Sequence, residues 1–339
     1  MSFAIIDAAT GTEARACGCE GRSHYSTSIA NLPLIYHVFD ELAAAGSSRV
    51  RVVVSPDARD ELEQVLDGGS PWGVEVSFTT AAEPDGRATV LAAVEQIAPE
   101  EPVLVCPGDC LFPGGLSTMW ERFRAGDVDA VVSGGGNGGG RRGRTVEAEA
   151  APRVCSAPAI VGPRGVPLIQ GLRSTTANHR DLATWLRISD GRIAVCELGQ
   201  WCYSDDTEDL LTANRMMLDS LPVPAVDGGF GDNNVVRGRV AISSSAYLSG
   251  SVLHGPVAVD DGAVIEDSFV GPYCAIGAGA VLRGAEIDNT MVLAGAAISH
   301  PGQRIEASII GEQAAVVRSF TLPKGLHMRL EPHSRVILS

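Results

Sequence analysis

The chain has 339 residues, 45% of them hydrophobic, and 41 acidic against 26 basic residues give a formal charge of −15. That length supports two domains with packed cores. The negative balance argues against nucleic acid or an anionic membrane as partner. No run of about 18 apolar residues appears, and no basic stretch precedes an apolar segment at the N-terminus, so a cytoplasmic protein is expected.

In chain order, "FAIID" (3–7) reads as a buried strand. "LPLIYHVFDELAAAG" places Ile35, Val38, Phe39 and Leu42 on one helical face and stops at Gly46. "RVRVVVS" is a strand, and "SPDARDELEQVLDGG" a helix with Ser55 as N-cap and Pro56 in its first turn. "VEVSFT" is a strand and "GRATVLAAVEQIA" a helix. "EPVLVCPGD" is a strand ending on Asp109, "GLSTMWERFRAG" a helix and "DAVVS" a strand. This alternation predicts a mostly parallel sheet with helices on both faces, a Rossmann-like α/β domain over 1–220. Ligands of such sheets bind beyond the carboxyl ends of the strands, so the loops after Asp7 and around Asp109 are the candidate pocket. "GGGNGGGRRGR" (134–144) reads as a flexible, solvated loop.

From residue 242 the rhythm changes. Apolar marks fall at Ile242, Leu248, Leu253, Val259, Ile265, Val270, Ile276, Leu282, Ile287, Leu293 and Ile298, in steps of five or six residues. Every third mark should stack: Ile242, Val259, Ile276 and Leu293 in one column, Leu253, Val270 and Ile287 in another. Four coils of a parallel β-helix built from hexapeptide repeats are expected over 237–318, after a linker at 221–236 and before a tail at 319–339.

An α/β domain followed by a left-handed β-helix resembles the sugar-1-phosphate nucleotidylyltransferases, in particular the long glucose-1-phosphate thymidylyltransferases of actinobacterial antibiotic clusters. "TEDLLTANRMMLDSL" (207–221) and the tail "LHMRLEPHSRVIL" carry the resemblance most clearly. It implies transfer of a nucleoside monophosphate from an NTP to a sugar phosphate, with Mg²⁺ as cofactor and pyrophosphate as product. Such chemistry rests on positioning and charge neutralisation.

Matched residue by residue, that site is degenerate here. The family's GGxGTRL phosphate loop falls on Ala8, Ala9, Gly11, Thr12 and Glu13, so a carboxylate stands where an arginine is expected. The family's lysine falls on His24. Cβ atoms at 8 and 9 crowd a phosphate's approach to the backbone, and Glu13 reverses a charge beside a polyanion. Of the 26 basic residues only Lys324 is a lysine, so the first 323 residues contain no lysine for this chemistry. The metal-binding "GDN" is kept as Gly108 and Asp109, with Cys110 for the asparagine. The second metal-binding aspartate falls on Tyr203 without gaps, or on Asp206 with a local shift. In the base-reading segment Gly86 is kept, the glutamine falls on Ala81, and Arg87 replaces a leucine. The sugar-side Glu-Lys-Pro is missing near "PLIQGLRST". Asp109 and Asp206 are the candidate catalytic residues. Gly11, Thr12, Glu13, His24 and Gly86 mark a degenerate nucleotide site.

The eight cysteines are thiols, ligands or core filler rather than a disulfide scaffold. Cys17 and Cys19 lie in the former phosphate loop, Cys110 follows Asp109, and Cys202 adjoins the second metal position. With His24 and Asp109 they form a speculative site for Zn²⁺ or Fe; Cys106, inside an apolar strand, reads as core. Three functions follow: a family member that has lost the transfer reaction and been reused as another enzyme or a scaffold, an active nucleotidylyltransferase with an altered pocket, or a hexapeptide acyltransferase using acyl-CoA with His254 or His300 as base. Each takes a small molecule (a sugar phosphate, a nucleotide or a pathway intermediate). The β-helix points to a homo-oligomer.

Overall fold

A computed structural model describes residues 2–9, 22–82, 87–98, 100–134, 157–173, 182–204, 206–221 and 233–318. Seven strands form the main sheet, in the order Ile193–Glu197, Ala130–Gly134, Ala159–Val161, Val103–Pro107, Ser2–Ala8, Ser47–Val54, Glu75–Thr80. All neighbours run parallel except Ala159–Val161, which is antiparallel to the strands on either side.

The first strand shows why helices must cover both faces. Ala4, Ile6 and Ala8 join one core, with Ile35, Val38, Phe39 and Leu42 of the helix Leu34–Ala44. Phe3 and Ile5 join the opposite core, with Val90, Leu91 and Val94 of the helix Arg87–Ile97. Side chains alternate across a strand, so a central strand buried on both faces is apolar on both, here from Phe3 to Ile6 without a break.

The helix Leu34–Ala44 ends against Gly46, whose φ of +82° a β-carbon would disfavour. The next helix starts later than the sequence suggests, at Arg59 rather than beside Pro56. Ser55 still acts as a cap, its Oγ accepting from the Ala58 amide at 3.3 Å, but it closes a turn that precedes the helix. The strand expected to end on Asp109 ends at Pro107, which places Gly108 and Asp109 in the turn beyond the sheet. The arginine-bearing loop 134–144 lies, after Gly134, outside the described residues.

Beyond residue 233 three five-stranded parallel sheets wind into the left-handed β-helix that the hexapeptide rhythm announces. Among the described residues it has five rungs rather than four, the first strand being Val235–Arg237, which begins in the range expected to be linker, and the last Ala315–Val317. The column Leu253–Val270–Ile287 stacks as the spacing predicts, and Leu248–Ile265–Leu282–Ile298 forms another. At the inner corner Ser268 donates its amide to Ser251 Oγ at 3.1 Å, and Ala285 to Ser268 Oγ at 3.1 Å, so the buried hydroxyls repeat with the rungs.

One column departs from expectation. Ile242 pairs with Val259 and Val259 with Ile276, but Ile276 pairs with Val292, not Leu293. The rung is one residue shorter there, across the turn where Asn289 takes a φ of +43°. The slip turns Met291 and Leu293 outward. They pack with Ile29, Leu34, Trp201, Leu210 and Leu211 of the α/β half, in an apolar cluster separate from the β-helix interior. Polar contacts flank this joint. Asn31 Nδ2 donates to the Ile276 carbonyl at 2.9 Å and Asn214 Nδ2 to the Tyr273 carbonyl at 3.1 Å, while Asn214 Oδ1 accepts from the Ala30 amide at 3.0 Å.

Candidate functional site

The strands Ser2–Ala8 and Val103–Pro107 lie side by side, and the amide of Gly108 donates to the Asp7 carbonyl at 3.0 Å, carrying the ladder one step past the sheet. A β-carbon on Gly108 would meet Ile6 Cγ2 at 2.9 Å and the Tyr25 ring at 3.3 Å, so the turn holds Asp109 tightly at the strand ends. Asp109 is only 1% exposed. Its Oδ2 accepts from His24 Nε2 at 3.1 Å; His24, in the short 3₁₀ helix His24–Ser26, is fully buried. With Asp109 ionised, His24 Nε2 is the donor of this contact. Tyr25 and Tyr203 close over the imidazole, with ring centroids 4.0 and 4.8 Å from it.

Two short strands continue the site outward. Cys110–Leu111 and Trp201–Cys202 pair antiparallel, with Cys110 opposite Cys202 and Leu111 opposite Trp201. The Tyr203 amide donates to the Asp109 carbonyl at 2.9 Å. That bond joins the residues flanking Cys110 and Cys202, so the two cysteines form a non-hydrogen-bonded pair, the kind whose side chains approach most closely. Their sulfurs are 2.8 Å apart. Gln200 Nε2 donates to Cys202 Sγ at 2.9 Å and to Cys110 Sγ at 3.3 Å, and the Cys110 thiol lies 3.7 Å from Asp109 Oδ1. Cys110 is buried and Cys202 exposed. Burial, then the contact with Cys202 and the Asp109 charge, push the Cys110 thiol well above its ordinary range and keep it protonated.

The structure therefore brings together His24, Asp109, Cys110, Cys202 and Tyr203. Asp206 is engaged elsewhere: it caps the helix Thr207–Asp219, its Oδ1 accepting from the Glu208 amide at 2.9 Å and the Asp209 amide at 3.4 Å. Tyr203, the ungapped alternative, is the residue that touches the His24 ring. Gly11, Thr12, Glu13, Cys17, Cys19 and Gly86 lie outside the described residues, as does the side chain of Arg87. Cys106 is fully buried in the core, its thiol pushed up by burial and then by Asp7, as its apolar strand suggests. Sequence reasoning missed Gln200 and Tyr25. Gln200 could have been found from strand alternation, since it stands two residues before Cys202 and so faces the same side.

The donors at Asp109 suit a hard cation poorly. Mg²⁺ takes oxygen ligands at near-ideal octahedral positions and keeps several waters. Here the carboxylate is buried against an imidazole, and its neighbours are thiols and phenols. Among the described residues no group of three or more His, Cys, Asp or Glu side chains is arranged to hold a metal ion, so no Zn²⁺ or Fe site is built from the residues described.

The class of fold is now defined: an α/β domain with its pocket at the strand ends, docked on a parallel β-helix. Residues 25–137 match the family model described as nucleotidyl transferase. The chain is 26% identical to a glucose-1-phosphate thymidylyltransferase of Streptomyces antibioticus over 91% of each protein. With that of Streptomyces griseus it shares 27% identity across the whole of both chains. A Mycobacterium tuberculosis glucose-1-phosphate thymidylyltransferase is 29% identical over 27% of this chain and 33% of its own. One segment of the chain thus matches the nucleotidyl transferase model, and the chain is similar along its full length, at about 26% identity, to glucose-1-phosphate thymidylyltransferases of Streptomyces. No helix among the described residues is long and apolar enough to cross a membrane.

Proposed function

We propose that this chain is a nucleotidyltransferase-fold protein that has lost the standard transfer between an NTP and a sugar 1-phosphate and has been reused. One observation carries the reading: Asp109, the charged family residue kept without ambiguity, is sealed in a contact with His24 beneath two tyrosine rings. Metal-assisted phosphoryl transfer needs that carboxylate on a cation beside the phosphates. The substitutions at positions 8, 9, 13 and 24 act in the same direction. Losing one transition-state donor typically costs about 3 kcal/mol, and losses at several positions remove orders of magnitude in rate.

A second reading, an active thymidylyltransferase with an altered pocket, is favoured by homology that runs through both halves of the chain. One assay separates the two. Purified protein given each NTP, Mg²⁺ and hexose 1-phosphates should release little pyrophosphate; robust turnover restores the active enzyme and ends the first reading. No observation favours the acyltransferase. His254 closes a surface strand and His300 occupies an exposed corner with a φ of +46°.

A further inference from the structure

We infer that Cys110 and Cys202 form a reversible dithiol–disulfide site that stitches the Asp109 turn to the segment entering the Thr207–Asp219 helix. This rests on the strand pairing alone and stands whether or not nucleotidyl transfer is retained.

The two cysteines face each other across a non-hydrogen-bonded position of an antiparallel ladder. Such positions hold α-carbons about 4.5 Å apart, within the range of about 4.4–6.8 Å that a disulfide spans. Their sulfurs already touch, so closing the bond needs only side-chain rotation. The pair is also asymmetric. Cys202 is open to solvent and Cys110 is not, which separates an entry thiol from a resolving thiol. Gln200 donates an N–H to each sulfur, so one amide steadies the negative charge that passes between them.

The oxidant is a small disulfide, RSSR. Cys202 loses its proton and its thiolate attacks one sulfur of RSSR, giving a mixed disulfide and RS⁻, which takes up the proton. Cys110 then attacks Cys202 Sγ as its own proton leaves, and the second RSH departs. Two protein thiols and one RSSR become one intrachain disulfide and two RSH; the protein gives up two electrons and RSSR accepts them. Excess RSH reverses both steps. The bond reaches the site because Cys110 follows Asp109 directly and Tyr203, on the His24 ring, follows Cys202. Oxidation therefore fixes the lid of the buried pair, while reduction leaves it to a ladder two residues long.

The test is to equilibrate the full-length chain across ratios of glutathione disulfide to glutathione, quench with an alkylating agent, and count and map the thiols by mass. Two of the eight cysteines should disappear together, and an unreduced peptide should join Cys110 to Cys202. Cys202→Ser should show neither bridge nor glutathione adduct at this site. Cys110→Ser should stop at an adduct on Cys202. Full alkylation at the most oxidising ratio, a stable wild-type adduct on Cys202 without closure, or a bridge that excludes either residue would overturn the proposal. The wild-type peptide map decides it even where a serine variant fails to fold.

Discussion

In the β-helix, each inward side chain sits over its counterpart one rung below, and the same residue classes recur at Leu248, Ile265, Leu282 and Ile298. At the strand ends of the α/β domain the turn around Asp109 is held instead by a few particular contacts that do not repeat. The contrast follows from what each region needs. A rung is stabilised by apolar contact with its neighbours, so Val, Ile and Leu exchange within a column at small cost. A phosphate pocket needs particular charges at particular atoms. In the turn after Pro107 the backbone is held by Gly108, Tyr25 and the buried His24–Asp109 pair, whatever charges a ligand there would need. Shape and chemistry are thus carried by separable sets of residues.

The strongest test of this contrast is a cavity in the repeat. Leu282 is fully buried with Ile265 and Ile298 on either side in its column. Leu282→Ala should lower stability by about 4 kcal/mol, within the usual range for emptying a core leucine site. Denaturant midpoints measure it. A loss under about 1 kcal/mol would mean that the rungs collapse around the gap and do not support one another as described.

The next effect lies in the pocket. His24→Ala takes the imidazole from a buried carboxylate, and breaking a buried pair on one side costs about 3 kcal/mol. Adding Asp109→Leu to that variant should recover much of the loss, because the uncompensated charge goes too. If the single variant is nearly neutral, water reaches Asp109 and the sealed-site reading of the function fails with it.

These two regions also differed in what their sequence disclosed. The β-helix was legible because its period of about 17 residues repeats an identical requirement, and the predicted interior column Leu253–Val270–Ile287 is present. Its one misplacement, Leu293, falls where the period yields to a partner. The chain drops a residue between Ile287 and Val292 and offers Met291 and Leu293 to the α/β half. No repeat can report a surface it docks against. In the pocket, His24, Asp109, Cys110 and Cys202 were each singled out, but as positions in a ruined phosphate and metal site. That His24 would pair with Asp109, 85 residues away, depends on the turn after Pro107 and on the two tyrosines that bury it. The late start of the helix at Arg59 was hidden for a local reason: Ser55 and Pro56 signal a beginning, and a turn closed by Ser55 satisfies the same signal.

A smaller effect is expected at the joint between the regions. Asn214 is fully buried, accepts from Ala30 in the α/β half and donates to Tyr273 of the β-helix. Asn214→Ala should cost about 2 kcal/mol, because it leaves two half-buried backbone groups without that partner. If the halves unfold separately, the variant should also split the melting transition in two. A single unshifted transition would show that the apolar contacts of Met291 and Leu293 hold the joint unaided.

The smallest effect separates a structural carboxylate from a functional one. Asp206 is aligned, with a local shift, to a metal-binding position, yet its side chain accepts from the amides of Glu208 and Asp209 at the start of the Thr207–Asp219 helix. Those are orphan donors of a helix N-terminus, and their capping accounts for the residue without a cation. Asp206→Ala should cost about 1 kcal/mol and Asp206→Asn only a few tenths, since an asparagine oxygen caps nearly as well. If Asp206 bound a divalent cation, the ranking would invert in one respect: Asn would remove the charge the ion needs, so the wild type would gain melting temperature with added Mg²⁺ and the Asn variant would not. The expected result is the same small response to Mg²⁺ in both proteins. A Mg²⁺-dependent gap between them would return Asp206 to the site as a metal ligand.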